Sequence, residues 1–191
     1  ERLALIGADE ARLLQGVERP IVLLQKRADH KLAENIAPDN RYFGIMLPYT
    51  PLHYLLLQDE FEVLVMTSAN LSDEPIAFED HGACRRLNTI ADAFLVHNRR
   101  IHTRTDDSIA RVMADRPLLL RRSRGFVPRA IALQREAPSV LAVGAELKNT
   151  LCLTRGDRAF LSQHVGDLKN LDVYESFKQT IAHLQSILAV Q

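Results

Sequence analysis

Four groups of residues in this chain have the types and spacing to handle phosphate. The first is Thr67, Ser68, Asn70 and Ser72, which follow the apolar run Val63-Leu64-Val65-Met66 without a spacer. Hydroxyl and amide groups contact phosphate oxygens without a counter-charge, and small side chains let backbone N–H groups approach. At the carboxyl end of a strand they read as a phosphate or nucleotide seat, although turns and caps use the same residues. The second is Arg104-Thr105-Asp106-Asp107-Ser108. Two carboxylates beside a hydroxyl can orient a magnesium-bound phosphate. Neighbouring strand residues point to opposite faces, so one of Asp106 and Asp107 meets a given site, and a solvated hairpin is the plainer reading.

The third group runs from Arg121 to Arg129, with Arg121, Arg122, Arg124 and Arg129 around Gly125. A charged hydrogen bond from a guanidinium to phosphate contributes about 1.5–3 kcal/mol, and the alternative is a solvated basic face. The fourth is Gly144-Ala145-Glu146-Leu147-Lys148-Asn149-Thr150, a turn between apolar runs. Gly, Lys, Asn and Thr can wrap phosphates, but the spacing is not that of a P-loop, and a simple hairpin reads equally well. His164 is either a polar site residue or structural. His53 and His183 sit in helical patterns, and no base flanks Cys84 or Cys152, so neither is assigned as a nucleophile.

These groups need elements to position them. Ala8–Gly16 reads as a helix with an acidic start and a glycine stop. Ile21–Leu24 and Tyr42–Leu47 read as strands, with 28–41 irregular between them. Thr50 as N-cap and Pro51 at the first helical position start a second helix. Strands are expected over 62–67, 93–97, 108–113 and 118–122, and a helix over 79–87. Residues 123–139 change character. The runs 140–143, 150–154 and 159–162, with a turn at 155–158, then predict an antiparallel meander before a helix over 172–190. The fold class is a mixed α/β or α+β layer fold. A domain boundary is expected near residue 137, giving domains of 1–136 and 137–191.

Composition narrows the partners. The 191 residues are 47% hydrophobic and 25% charged, with 24 basic and 24 acidic side chains. Zero net charge argues against general polyanion binding, which depends on excess Lys and Arg. Two cysteines without metal spacing suit a reducing, cytoplasmic compartment. No apolar run is long enough to span a bilayer.

In order and content the four groups resemble the HypF family of hydrogenase maturation carbamoyltransferases. Gly44–His53, Met66–Ile76, Arg104–Ser108 and Arg121–Arg129 look like the later two-thirds of its YrdC-like domain, a twisted mixed sheet with helices. Gly144–Thr150 and Ser162–Leu168 look like the opening of its actin-like ATPase domain. The resemblance implies synthesis of carbamoyl adenylate from carbamoyl phosphate and ATP. It also implies transfer of the carbamoyl group to the C-terminal cysteine of a HypE-family partner, for the cyanide ligands of the nickel–iron centre. By the same resemblance Thr67, Ser68, Asn70, Arg104, Asp107, Ser108, Arg122 and Arg124 bind nucleotide or phosphate. Gly144, Glu146, Lys148, Asn149, Thr150 and His164 form a second nucleotide site. ATP and Mg2+ are implied for this chain, and zinc and a second-domain metal for the full-length family protein alone. The chain is expected to be an excised piece. Basic residues of the first part of the YrdC-like domain and histidines of the later second domain lie outside it, so little carbamoyl-phosphate-dependent exchange of pyrophosphate into ATP is expected. The alternatives are a threonylcarbamoyl-adenylate synthase of tRNA modification and an RNA-binding module on Arg99, Arg100, Arg121, Arg122 and Arg124, though aromatic stacking residues are scarce there.

Overall fold

The computed structural model describes residues 1–58, 61–71 and 74–190, so Ser72 of the first group lies outside the described residues. The chain forms two compact units, one of Glu1–Val65 with Asp107–Phe126 and one of Met66–Asp106 with Val127–Gln191. Among the described residues, no helix is long and apolar enough to cross a membrane.

In the first unit, α1 (Ala8–Gln15) starts with the Gly7 amide donating to Glu10 Oε2 at 2.9 Å. It ends at Gly16, whose amide returns to the Arg12 carbonyl. Its Leu13 and Leu14 face a sheet of β1 (Ile21–Gln25), β2 (Tyr42–Ile45), β3 (Ile109–Met113) and β4 (Arg116–Arg121), in the order β2-β1-β3-β4. β1 pairs in parallel with β3 and antiparallel with β2, so the sheet is mixed, as expected. Alternation along β1 sends Val22 and Leu24 into a core with Ala4 and Leu14. α2 (Pro51–Leu57) is capped by Thr50, whose Oγ1 accepts from the His53 amide at 3.2 Å. Ala114 and Asp115, both at positive φ, make the two-residue turn between β3 and β4.

The second unit holds α3 (Asp80–Leu87), β5 (Ile131–Ala137), β6 (Leu141–Ala142), β7 (Cys152–Leu161) and α4 (Leu171–Leu188). β7 lies between β5 and β6, antiparallel to both. It also doubles back on itself. An extended ten-residue strand would hold its ends about 30 Å apart, yet the Ser162 amide donates to the Leu151 carbonyl at 2.8 Å. The reversal falls at Gly156, whose φ is +60°. The meander therefore forms as read, and α4 packs on it through Leu184 and Leu188 against Leu151 and Leu153. α4 is capped by Asn170, whose Oδ1 accepts from the Asp172 amide at 2.9 Å.

Three local expectations are corrected. Residues 62–67 and 93–97 form no strand. Val65 and Leu95 stand 68% and 73% exposed, so an apolar run that suits a covered strand finds no ladder partner among the described residues. β5 arises inside the 123–139 stretch, where Ile-Ala-Leu followed by Gln-Arg-Glu on a mostly exposed strand shows no period-two alternation. β2 stops at Ile45, two residues short of Leu47.

Candidate phosphate and nucleotide sites

In the first unit, Asp107, Ser108 and Arg124 come together at the entry to β3 and the exit of β4. Ser108 is fully buried. Its Oγ accepts from the Ser123 amide and donates to the Arg124 carbonyl, both at 2.8 Å. The Arg124 side chain donates at all three nitrogens: Nε to Asp107 Oδ1 at 2.5 Å, Nη1 to the Glu18 carbonyl at 3.1 Å and Nη2 to the Arg19 carbonyl at 2.7 Å. Its guanidinium carbon lies 3.5 Å from the centroid of the Tyr49 ring. Gly125, at φ +87°, lets the turn press on Glu18, where a Cβ would meet the Glu18 carbonyl oxygen at 2.6 Å. Arg122 is half-buried one residue before Ser123.

This arrangement bears on magnesium. A carboxylate that receives a guanidinium is not a vacant hard-cation ligand, and no group of three or more His, Cys, Asp or Glu among the described residues is arranged to hold a metal. These residues make no protein-only cage for magnesium, which commonly binds through one or two carboxylates together with substrate phosphates.

In the second unit, the segment of Thr67, Ser68 and Asn70 is extended and then turns. Thr67 and Ser68 are exposed. The Asn70 amide bonds the Ser68 carbonyl at 3.0 Å, and Asn70 Nδ2 donates to the Leu71 carbonyl at 2.8 Å. The Ala77 amide holds the turn from outside through the Ala69 carbonyl. Arg104 lines a cavity of about 420 Å³ together with Ala77, Arg86, His102, Gln179 and His183. Burial lowers the pKa of Arg104, the nearby Arg86 adds to that, and Asp106 and Asp172 oppose it. Arg86 is occupied by an ion pair with Glu74.

The most fully built arrangement is the turn at Gly144. Asn149 is 1% exposed, and its Nδ2 donates to the carbonyls of Val143 at 2.7 Å and Ala145 at 2.6 Å. Its Oδ1 is buried with no hydrogen-bond partner. Gly144 has φ +68°, and a Cβ there would lie 2.4 Å from the Thr150 carbonyl oxygen. A second loop clasps the turn: the Asn149 amide bonds the Gly166 carbonyl, the Val165 amide bonds the Asn149 carbonyl, and the Lys148 amide donates to Asp167 Oδ1. His164 thus lies on the strand of chain that backs Asn149, and Glu146 and Lys148 are exposed on the loop. A buried orphan acceptor beside a glycine that admits no side chain fits a polar ligand such as a nucleotide.

Sequence reasoning missed Tyr49 and Asp167. Tyr49 stood in the segment Gly44–His53, yet aromatic stacking on an arginine 75 positions away leaves no local signal. Asp167 follows a glycine in a polar loop, and that turn chemistry was its one clue.

Comparison with known proteins agrees with this architecture. A sequence model of the Sua5–YciO–YrdC family, described as telomere recombination, matches residues 1–123, and one of the HypF Kae1-like domain matches 135–191. The carbamoyltransferase HypF2 of Cupriavidus necator is 49% identical over 97% of this chain and 25% of its own length. HypF of Synechocystis sp. is 45% identical over 93% of this chain and 23% of its own length. A crystal structure of full-length HypF in the phosphate- and nucleotide-bound form superposes with a TM-score of 0.95 at 42% identity, over 100% of this chain and 30% of that one. The chain spans about a quarter of the length of the curated relatives it matches. By both sequence and fold, the chain belongs to the HypF carbamoyltransferase family.

Proposed function

We propose that this chain is the nucleotide-seating part of an enzyme that makes carbamoyl adenylate from carbamoyl phosphate and ATP and passes the carbamoyl group to the C-terminal cysteine of a HypE-family partner. The observation that carries the reading is Asn149, whose carboxamide is locked between two carbonyls with its Oδ1 left for a ligand donor. Gly144, Glu146, Lys148, Asn149, Thr150 and His164 form the second nucleotide site in this reading. Thr67, Ser68 and Asn70 offer hydroxyl and amide dipoles to the adenylating nucleotide, and Arg104 and Arg122 offer cationic donors. Adenylation develops negative charge on the leaving phosphates, and fixed guanidinium and hydroxyl donors stabilise it without a side-chain nucleophile. Magnesium would be carried by the nucleotide phosphates, whose charge it would help neutralise.

The functional boundary near residue 137 is part of the same proposal, supported by family matches that end at 123 and resume at 135. So is a reducing, cytoplasmic setting, consistent with the unpaired thiols of Cys84 and Cys152.

Calorimetric titration of the chain with ATP tests the reading. We expect binding that Ser68→Ala and Asn70→Ala each weaken about 2- to 10-fold, the range of one neutral hydrogen bond. Absence of ATP binding would sink it. Carbamoyl-phosphate-dependent pyrophosphate exchange should be weak, and robust exchange would remove the expectation that the chain is an incomplete catalyst. In the complete protein, AMP release with carbamoyl phosphate, and none with threonine and bicarbonate, separates this function from tRNA modification.

A further inference from the structure

The Arg124 guanidinium is engaged by the protein itself at every nitrogen, through three of its five N–H groups. Its three nitrogens bond Asp107 and the carbonyls of Glu18 and Arg19, and one face of its plane is covered by Tyr49. The Tyr49 ring is itself held edge-on by His53, with ring centroids 4.5 Å apart at 85°, and His53 is fixed by the capped first turn of α2. We propose that Tyr49 is a positioning residue for phosphate binding: its ring holds the Arg124–Asp107 pair in one geometry, and that pair sets the direction in which Arg122 leaves the end of β4.

The route from Tyr49 to Arg122 is short and rigid. Arg124 anchors the turn of residues 123–126 to the carbonyls of Glu18 and Arg19, and the turn closes through the Phe126 amide on the Ser123 carbonyl at 3.0 Å. Ser108 pins both sides of Ser123, its Oγ accepting a hydrogen bond from the Ser123 amide and donating one to the Arg124 carbonyl. Arg122 enters this fixed turn directly. In this proposal Asp107 and Arg124 act as the frame for Arg122. A planar guanidinium stacked on a ring is geometrically specific in a way that an ammonium is not.

The inference rests on the nucleotide-seating function, so the experiment must separate the two. ATP is titrated into isotopically labelled chain, and amide shifts are followed at Ser108 and Ser123 and, separately, at Lys148 and Asn149. We expect shifts at both places in the unaltered chain. Tyr49→Leu should weaken the affinity read at Ser108 and Ser123 by about 10-fold, a typical loss for a partly desolvated cation–π contact, and leave that at Lys148 and Asn149 within twofold. Tyr49→Phe keeps the ring while giving up the phenol's hydrogen bond to Asp107, and should bind clearly more tightly than Tyr49→Leu. If Tyr49→Leu does not fold, Arg124→Lys should give the same local loss. Unchanged affinity at Ser123 in Tyr49→Leu or Arg124→Lys, or an equal loss in Tyr49→Phe, overturns the positioning role. ATP shifts confined to Lys148 and Asn149 overturn it as well and leave nucleotide seating standing, whereas shifts at neither place bring down both. In a double-mutant cycle Tyr49→Leu and Arg122→Gln should be non-additive, and strict additivity contradicts the route.

Discussion

Ser108 and Ser123, 15 positions apart, are joined by a buried bond from the Ser123 amide to the Ser108 Oγ at 2.8 Å. The same hydroxyl donates to the Arg124 carbonyl, so one side chain satisfies two backbone groups at the exit of β4. Ser108→Ala leaves a donor and an acceptor without that partner in a site with no solvent exposure. Unsatisfied buried groups cost about 1–3 kcal/mol, and we expect that loss in urea unfolding. Ser108→Thr retains the hydroxyl and should recover part of it. A loss below about 0.5 kcal/mol in Ser108→Ala would contradict the assigned role.

Gly144 and Gly156 make a controlled pair. Both have positive φ, +68° and +60°, so alanine at either bears the left-handed penalty of about 1–2 kcal/mol. They differ in space: nothing lies within 4 Å of a Cβ at Gly156, whereas at Gly144 it would lie 2.4 Å from the Thr150 carbonyl oxygen. Gly144→Ala should therefore destabilise the chain by clearly more than Gly156→Ala in parallel thermal melts. Equal losses would mean that the 144–150 turn has room to relax and is not the tight cradle described.

Sequence was a good guide where the determinant is local. Thr50 and Pro51 mark the start of α2, Gly16 the end of α1, and Gly156 the reversal within β7, because caps and turns are decided by one or two residues. It misled where the determinant is a distant partner. The run Val63–Met66 has strand composition, yet strand formation needs a neighbouring edge, and composition does not encode one. A cluster of arginines likewise shows charge and nothing of the partners Arg124 takes, Asp107, 17 positions back, and the Glu18 carbonyl, 106 positions back. The turn at Gly144 was legible as a loop. Its quality as a site depends on the Gly166 loop that backs it, a pairing visible only in three dimensions.

Tyr49 carries an alkaline signature. Its phenol is held above the ordinary value of 10.0, first by burial and then by the Asp107 charge and hydrogen bond, with Arg124 opposing. Below pH 10 the phenol is protonated in both folded and unfolded chains. Above it the unfolded chain releases the proton before the folded chain does, so the folded state binds more protons and stability falls as pH rises. The contribution of Tyr49 is thus complete below pH 10 and lost as pH climbs through its folded value. Phenolate absorbance of the unaltered chain minus that of Tyr49→Phe should show one tyrosine titrating late, and Asp107→Asn should bring it earlier. A Tyr49 midpoint at or below the ordinary value would be inconsistent with the buried contact.

Asn149 offers the sharpest link between fold and ligand. Its two Nδ2 bonds make it a structural brace, and its orphan Oδ1 makes it a waiting acceptor. Asn149→Ala removes both functions and should destabilise the chain by about 1–3 kcal/mol without ligand. A brace alone would leave ligand stabilisation intact. If Oδ1 also meets nucleotide, ATP at about 100 times its Kd should stabilise the unaltered chain by about 2.7 kcal/mol. For a chain of this size that raises Tm by about 5–10 °C. The increment should shrink severalfold in Asn149→Ala at the same ATP concentration. The same increment in both chains would assign Asn149 to the fold alone and move the nucleotide contact to its neighbours on the loop.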